Sequence, residues 1–421
     1  MANMQPVRGT HDLVGEEARR HRHVVETARG VAGRYCFEDI ATPIFEFTPV
    51  FARTLGEGSD VVRKEMYTFA DRGGEEVTLR PEYTAGICRA FISGGMRQSL
   101  PLKFFAAGPM FRYERPQKGR QRQFHQIDAE ILGVDGPEAD IEVIALGADI
   151  LDALGVADKC RLELNTLGDP ESRVAYRDAL VAYFGAHGDA LSADSRDRLR
   201  RNPLRILDSK DAGDQALVAG APLMESCLNA RSRDFFAEVR RGLDALGIAY
   251  HVNPRLVRGL DYYTHTAFEF ITDALGAQGA VIAGGRYDGL IETLGGPPTP
   301  GIGWAGGIER LAMLIGAIPA LPRPLALVPI GAAAGARALA LAHRLRRAGF
   351  TVDLGYRGNL GRRMRRADKI NAAAALILGE DELARDSVTL RDLDSGEQSQ
   401  VPLAEIADRL ARYRGPGPCP A

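Results

Sequence analysis

From Met110 to Glu130 the chain alternates with period 2 on either side of a polar loop. On the incoming strand Met110, Arg112 and Glu114 share one face. On the outgoing strand Phe124, Gln126, Asp128 and Glu130 share one face, and Ile127, Ala129 and Ile131 take the other. Between the strands, Arg115 to Arg122 holds Arg115, Lys118, Arg120 and Arg122 with no acid. A strand face this polar beside an apolar one either meets solvent or floors a polar pocket.

Elsewhere the pattern predicts a helix from about Glu16 to Tyr35, with Val24, Val25, Ala28, Val31 and Ala32 on one side. An extended apolar stretch around Pro43 follows, which suits an edge strand or a strand meeting another chain. The segment from Met66 reads as a hairpin turned at Gly73-Gly74, then a strand closing at Glu82 and a helix starting at Thr84. Thr84 is placed either to grip an amino group or to cap that helix. A further helix is predicted from Pro137 to Leu154, and a charge-dense, mostly helical stretch from about Asp169 to Leu246. Glycine-rich strands return between Arg255 and Gly316. A four-proline linker near Ile318 opens alternating βα units that end near Tyr413.

These elements divide the chain into residues 1–168, a helical insertion at 169–248, a return to the first domain at 249–318, and a small α/β domain at 325–413. At 421 residues the chain is long enough for two or three domains. A net charge of −2 requires any basic surface for nucleic acid to be local. The five cysteines form no CxxC pair, which argues against a thiolate zinc site and a disulfide framework. The histidines show no ligand spacing, so no metal site is expected from thiolates or histidines. No apolar run approaches a membrane span and the N-terminus lacks a signal-like core, so the expected setting is cytoplasmic, with no membrane.

Gly301, Gly303 and Gly306 spell a GxGxxG, but a proline-rich linker follows where a dinucleotide fingerprint needs a βαβ unit. Arg112, Arg258 and Arg310 recur in three separate segments, each beside glycine or acid. Dispersed arginines of this kind suit a triphosphate held by charge-assisted bonds.

On these residues the chain resembles the class II aminoacyl-tRNA synthetases, and among them the histidyl-tRNA synthetase family, from about Pro6 to Leu410. The stretch ending in Pro43 resembles motif 1, FRYERPQKGRQRQFHQIDAE motif 2, and GIGWAGGIERL motif 3. LVRGLDYYTHTAFEF and AGGRYDGL resemble the two histidine-specific motifs, and Leu325 to Tyr413 resembles an anticodon-binding domain. The resemblance implies an α+β catalytic domain on an antiparallel sheet, a helical insertion and a C-terminal α/β anticodon-binding domain. It implies ligation of L-histidine to tRNA(His), with ATP as substrate, Mg²⁺ on the phosphates, and a homodimer.

The roles it implies fall on residues already singled out. Arg112 and Arg258 would meet the α-phosphate as the catalytic cations, Arg258 also meeting the histidine carboxylate. Arg310 would meet the γ-phosphate, Phe124 would stack on adenine, and Glu114 would read its edge. Glu82, Thr84 and Gln126 would hold the ammonium and carboxylate of histidine. Glu130 and Tyr263 would pair with the imidazole nitrogens, with Tyr262 and Tyr287 lining the same pocket. Tyr83 belongs to that pocket too, and departs from the smaller residue usual there. Arg115, Gln117, Lys118 and Arg120 of the loop would lie near the tRNA acceptor end. Arg362, Arg366 and Lys369 would meet anticodon-stem phosphates, or their helix face is simply solvated. The stretch LSADSRDRL lacks the cysteines some relatives carry. The other reading is a non-charging regulatory paralogue acting in histidine biosynthesis.

Overall fold

A computed structural model describes residues 4–55, 61–117, 119–257, 262–276 and 279–414. The chain forms two compact units, Met1–Ile318 and Pro319–Ala421.

In the first unit, α1 (Glu16–Arg34) buries Val24, Ala28, Val31 and Ala32, the stripe its periodicity predicts. The strands β1 (Glu38–Asp39) and β2 (Phe45–Phe47) flank Pro43, followed by α2 (Thr48–Leu55). The hairpin β3 (Tyr67–Ala70) and β4 (Glu76–Leu79) leads to α3 (Thr84–Ser93). The opening hairpin is β5 (Leu102–Phe111) and β6 (Gln123–Leu132), paired in register from Leu102↔Leu132 to Phe111↔Gln123. Next come α4 (Glu138–Ala153) and β7 (Arg161–Thr166). The insertion supplies α5 (Pro170–Ala186), α6 (Ala193–Arg201), α7 (Ala212–Gly220) and α8 (Ala230–Ala245). The chain returns through β8 (Tyr250–Val252), β9 (Thr264–Ile271), β10 (Ala280–Arg286), α9 (Leu290–Thr293), β11 (Gly301–Gly307) and α10 (Ile308–Leu314).

Among the described residues these strands build an eight-stranded sheet, ordered β1-β5-β6-β11-β10-β9-β7-β8. Its six inner strands pair antiparallel, and β1 and β8 attach in parallel at the edges. One face packs on α1, α4 and α8 through Ile127, Ala129, Ile131, Phe268, Ile282, Ile302 and Trp304. The Trp304 indole satisfies its N–H on the Val143 carbonyl at 2.8 Å. Because side chains alternate across a strand, Gln126, Asp128 and Glu130 point to the opposite face.

The insertion is not uniform. Residues between Tyr176 and Leu228 form a cluster of their own, whereas Val239 and Leu243 of α8 join the core beneath the sheet. The amphipathic pattern of α8 therefore belongs to the sheet's cover, which the charge density of the segment hid.

A second, three-stranded sheet, β2-β4-β3, has inverted polarity. Residues directly opposite share a face, so the pairings Phe47↔Val77↔Phe69 and Phe45↔Leu79↔Tyr67 form one apolar face. Phe45, Phe47 and Phe69 are exposed, together with neighbouring Ile44. The other face is polar, with Glu46 and Thr78 buried: Thr78 bonds Thr48 and the exposed Thr68, and Glu46 pairs with Arg89.

The second unit is a sheet ordered β13-β12-β14-β15-β16, from β12 (Leu325–Pro329), β13 (Val352–Leu354), β14 (Ala374–Leu378), β15 (Ser387–Asp392) and β16 (Gln398–Pro402). Its first three strands are parallel and the last two antiparallel. The helices α11 (Ala332–Arg347), α12 (Leu360–Lys369), α13 (Glu380–Ala384) and α14 (Ile406–Arg409) accompany it. This is the α/β unit its alternating pattern predicts.

Candidate active site

The polar face of β6 floors a cavity of about 280 Å³. Arg112, Glu114, Arg120, Phe124, Gln126 and Arg310 line it together with Glu82, Thr84, Tyr262, Tyr263 and Tyr287. Of the two readings of the opening hairpin, the pocket floor is the one the fold adopts.

Order along the cavity follows from register. Gly307 lies opposite Gln126 and Gly303 opposite Glu130, so Arg310, just past β11, sits at the loop end of β6. Tyr287, whose N–H bonds the Gly301 carbonyl, sits at the far end. From Gln126 to Glu130 is roughly 13 Å at the rise of a strand.

The loop end is cationic. Arg112 donates to the Pro81 carbonyl at 3.0 Å, and its guanidinium stands 5.3 Å from the centre of the Phe124 ring. Arg310 donates to the Ala280 and Gly119 carbonyls. Burial holds its pKa below the ordinary arginine value, and repulsion from Arg120 and Arg112 adds to that. An anion here would relieve that repulsion. Arg120, expected near the tRNA acceptor end, lines this cavity, its Nε 2.7 Å from the Glu114 carboxylate. Arg115 and Gln117 are exposed, as a tRNA-facing loop requires. Arg258 and Lys118 lie outside the described residues.

The far end is a set of buried acids and phenols. Glu82 accepts from the backbone N–H groups of Thr84 and Ala85, both at 2.8 Å. It, and not Thr84, caps α3. Burial raises the Glu82 carboxyl, opposed by those N–H bonds. The Thr84 hydroxyl is thereby free of capping and donates to Glu130 at 2.5 Å. Glu130 also accepts from the Tyr287 hydroxyl. Both Glu130 oxygens thus face protein donors, and Glu130 does not line the cavity. The sequence expectation pairs Glu130 with the imidazole; in the structure its two oxygens accept from Thr84 and Tyr287. Space for its carboxylate exists because residue 303 is glycine: a Cβ there would fall 1.7 Å from Glu130 Oε2. The GxGxxG lies inside an antiparallel strand, where its glycines admit neighbouring side chains.

Asp128, given no role by the sequence, lies beside Glu130 and is almost fully buried, with no hydrogen-bond donor reaching it. Burial, then the nearby Glu130 and Glu82 charges, push its carboxyl well above the usual range. A protonated Asp128 can donate to Glu130, so the pair shares a proton. Burial raises Glu130 to about 7, against the bonds from Thr84, Tyr287 and Asp128.

Tyr83 is corrected. Its hydroxyl accepts from Arg80 at 3.0 Å and its ring lies under that guanidinium at 4.3 Å, in the core outside the cavity. The bulk that departs from the usual residue packs in the cluster that also holds Ile87, Phe91 and Met110. Tyr262, Tyr263 and Tyr287 gather as expected, with ring centres of Tyr262 4.6 Å from Tyr263 and 5.8 Å from Tyr287. The Gln126 Oε1 is buried without a partner, an acceptor waiting at the cavity wall.

In the second unit, α12 exposes Arg362, Arg366 and Lys369 on one helix. Arg366 is held 2.7 Å from Asp353, which takes up part of its charge.

The expected absence of a histidine cluster holds along the sequence but not in space. His21, His125 and Glu309 come together from three distant segments, a constellation with no linear signature.

Comparison with known proteins accords with this geometry. Residues 9–311 match the family model described as histidyl-tRNA synthetase, and residues 325–413 match an anticodon binding domain. A histidine–tRNA ligase of Rhodospirillum rubrum is 63% identical over 414 residues, 98% of this chain and 100% of that protein. One from Gluconacetobacter diazotrophicus is 58% identical, covering 99% of this chain and 100% of that protein. The crystal structure of apo S. aureus histidyl-tRNA synthetase superposes with a TM-score of 0.82 at 33% identity, covering 97% of this chain and 99% of that one. The chain belongs to the histidyl-tRNA synthetase family, within the class II aminoacyl-tRNA synthetases.

Proposed function

We propose that the chain is a histidine–tRNA ligase. One observation carries the reading: a single cavity joins a cluster of guanidinium groups to a buried amide, hydroxyl and phenols along one strand. A triphosphate fits the first part and a small amino acid with a polar ring the second.

In the first step a histidine carboxylate oxygen attacks the α-phosphorus of ATP in line. The P–O bond to the β-phosphate breaks, giving histidyl-adenylate and pyrophosphate. In the second step the 3'-terminal ribose hydroxyl of tRNA(His) takes the acyl group and AMP leaves. No side-chain nucleophile is needed, because catalysis rests on positioning and on neutralising charge at the phosphorus. Arg112, fixed between the Pro81 carbonyl and the Phe124 ring, is the α-phosphate cation, and Arg258 is its partner on the phosphate and the histidine carboxylate. Arg310 takes the γ-phosphate. Phe124 stacks on adenine and Glu114 reads its edge, while Arg120, bound to Glu114, shares the nucleotide end.

Gln126 and Glu82 hold the amino-acid end, and Thr84, Tyr262, Tyr263 and Tyr287 surround the imidazole. Glu130 sets the direction of the Thr84 and Tyr287 hydroxyls. ATP enters as its magnesium complex. Glu82 and Glu114 are already engaged by N–H groups and Arg120, so a Mg²⁺ arriving with ATP would lean chiefly on the phosphates and its own water, supplying charge neutralisation there.

The proposal extends to partners. An apolar sheet face carrying exposed Phe45, Phe47 and Phe69 above a polar, buried underside suits an interface between two copies of the chain. Arg115, Gln117 and Lys118 would approach the acceptor end of tRNA, and Arg362, Arg366 and Lys369 its anticodon stem. Among the described residues no helix is long and apolar enough to cross a membrane. As a proposal resting on the charging reaction, the place of action is the cytoplasm.

Histidine-dependent exchange of pyrophosphate into ATP, without tRNA, tests the reading. Exchange with histidine and not with other amino acids is expected. Exchange only with another amino acid moves the specificity, and none at all supports the non-charging regulatory alternative.

A further inference from the structure

We propose that His21, His125 and Glu309 form a binding site for a divalent transition-metal ion of the zinc class. The residues come from α1, β6 and the first turn of α10, and one ligand atom from each lies within 4.8 Å of the others. His21 is buried, and the side chains of His125 and Glu309 are only 25% and 14% exposed, so this is no loose surface group of acids.

The donors are already oriented. His125 Nδ1 lies 2.8 Å from Glu309 Oε1, and the His125 backbone N–H reaches both Glu309 oxygens at 2.9 and 3.0 Å. That N–H holds the carboxylate as an outer partner would around a metal. The His21 ring stands edge-on to His125 with centres 5.5 Å apart, and among the described residues it makes no hydrogen bond. Burial lowers the His21 pKa, Glu309 and Glu17 oppose that, and His125 and His11 lower it further.

Space for an ion and its water is present. A cavity of about 460 Å³ opens onto His21 and Glu309. It is also lined by His11 and Glu17, themselves 3.2 Å apart, a further imidazole and carboxylate on the ion's path. Tetrahedral coordination at about 2.0–2.1 Å sets donors roughly 3.3 Å apart, so the three groups must draw together by up to about 1.5 Å. Two imidazoles and one carboxylate favour zinc, cobalt or nickel over magnesium, which demands oxygen. Glu309 lines both this cavity and the substrate cavity and precedes Arg310. A bound ion would therefore pin the start of α10.

The test uses the full chain, stripped with a chelator and titrated with Co²⁺ or Zn²⁺ alone, without nucleotide. Calorimetry should give one ion per chain, and Co²⁺ should show the intense absorption of tetrahedral coordination. His21→Gln should weaken binding at least tenfold, while His343→Gln, at an exposed site on α11, should leave it unchanged. Should His21→Gln misfold by circular dichroism, His21→Cys decides the matter: a thiolate ligand adds a sulfur-to-cobalt charge-transfer band. Fewer than one ion per chain, affinity unchanged in a folded His21→Gln, or no thiolate band in His21→Cys overturns the proposal.

Discussion

Gln126 illustrates what a single buried acceptor can decide. Its Oε1 has no partner within the protein, yet it lies at a polar cavity wall. If it receives the histidine ammonium, Gln126→Ala should raise the KM for histidine by ~10- to 100-fold in pyrophosphate exchange, with little change in thermal stability. An unchanged KM would remove Gln126 from the substrate.

Glu130 answers to pH in a definite direction. Its folded-state pKa of about 7 exceeds the ordinary 4.5, so between those values the folded chain binds more protons than the unfolded one. Stability from this group is full below the lower value and is lost as pH rises to the upper. Melting temperatures should fall across that window in the wild type and fall less in Glu130→Gln. A slope as steep in the variant as in the parent would contradict a shared proton with Asp128. Period-2 alternation placed both acids on one face, but alternation carries no depth. Only packing beneath Gly303 and among Thr84 and Tyr287 decides that Glu130 lies under the floor and not in the cavity.

At the scale of elements, α3 depends on a cap that lies two residues before the expected Thr84. A Thr at a predicted helix start reads as the cap, but here Glu82 reaches forward to two N–H groups and leaves the Thr84 hydroxyl for Glu130. Glu82→Ala should cost about 1–2 kcal/mol, lowering the melting temperature by roughly 2–4 °C per kcal/mol. Glu82→Gln, keeping one acceptor, should fall between; equal stability of all three would dismiss the cap. Long periodic elements such as α1 and the β5–β6 pair were legible because hydrophobic periodicity is local. The histidine cluster was not, because its members come from α1, β6 and α10, and the contacts of Tyr83 with Arg80 and of Arg120 with Glu114 follow no hydrophobic period. For Tyr83 the partner was close in sequence, at Arg80, yet the contact turns the ring away from the strand's polar side.

For the molecule as a whole, the inverted sheet β2-β4-β3 is the feature that a lone chain leaves unexplained. Phe47→Asp should convert a dimer to a monomer in size-exclusion chromatography with light scattering, and pyrophosphate exchange should fall with it. A persistent dimer would place the interface elsewhere. In the sequence, Pro43 within an apolar run suits an edge strand or a strand meeting another chain; the inverted polarity became visible only once the pairing fixed which residues share a face.

That same sheet would give a chain that works as a pair a concentration threshold. If two copies must cover the phenylalanine face before the site works, dilution below the dissociation constant should lower specific activity with every substrate-binding residue intact. Charging capacity would then rise faster than in proportion to the amount of protein made.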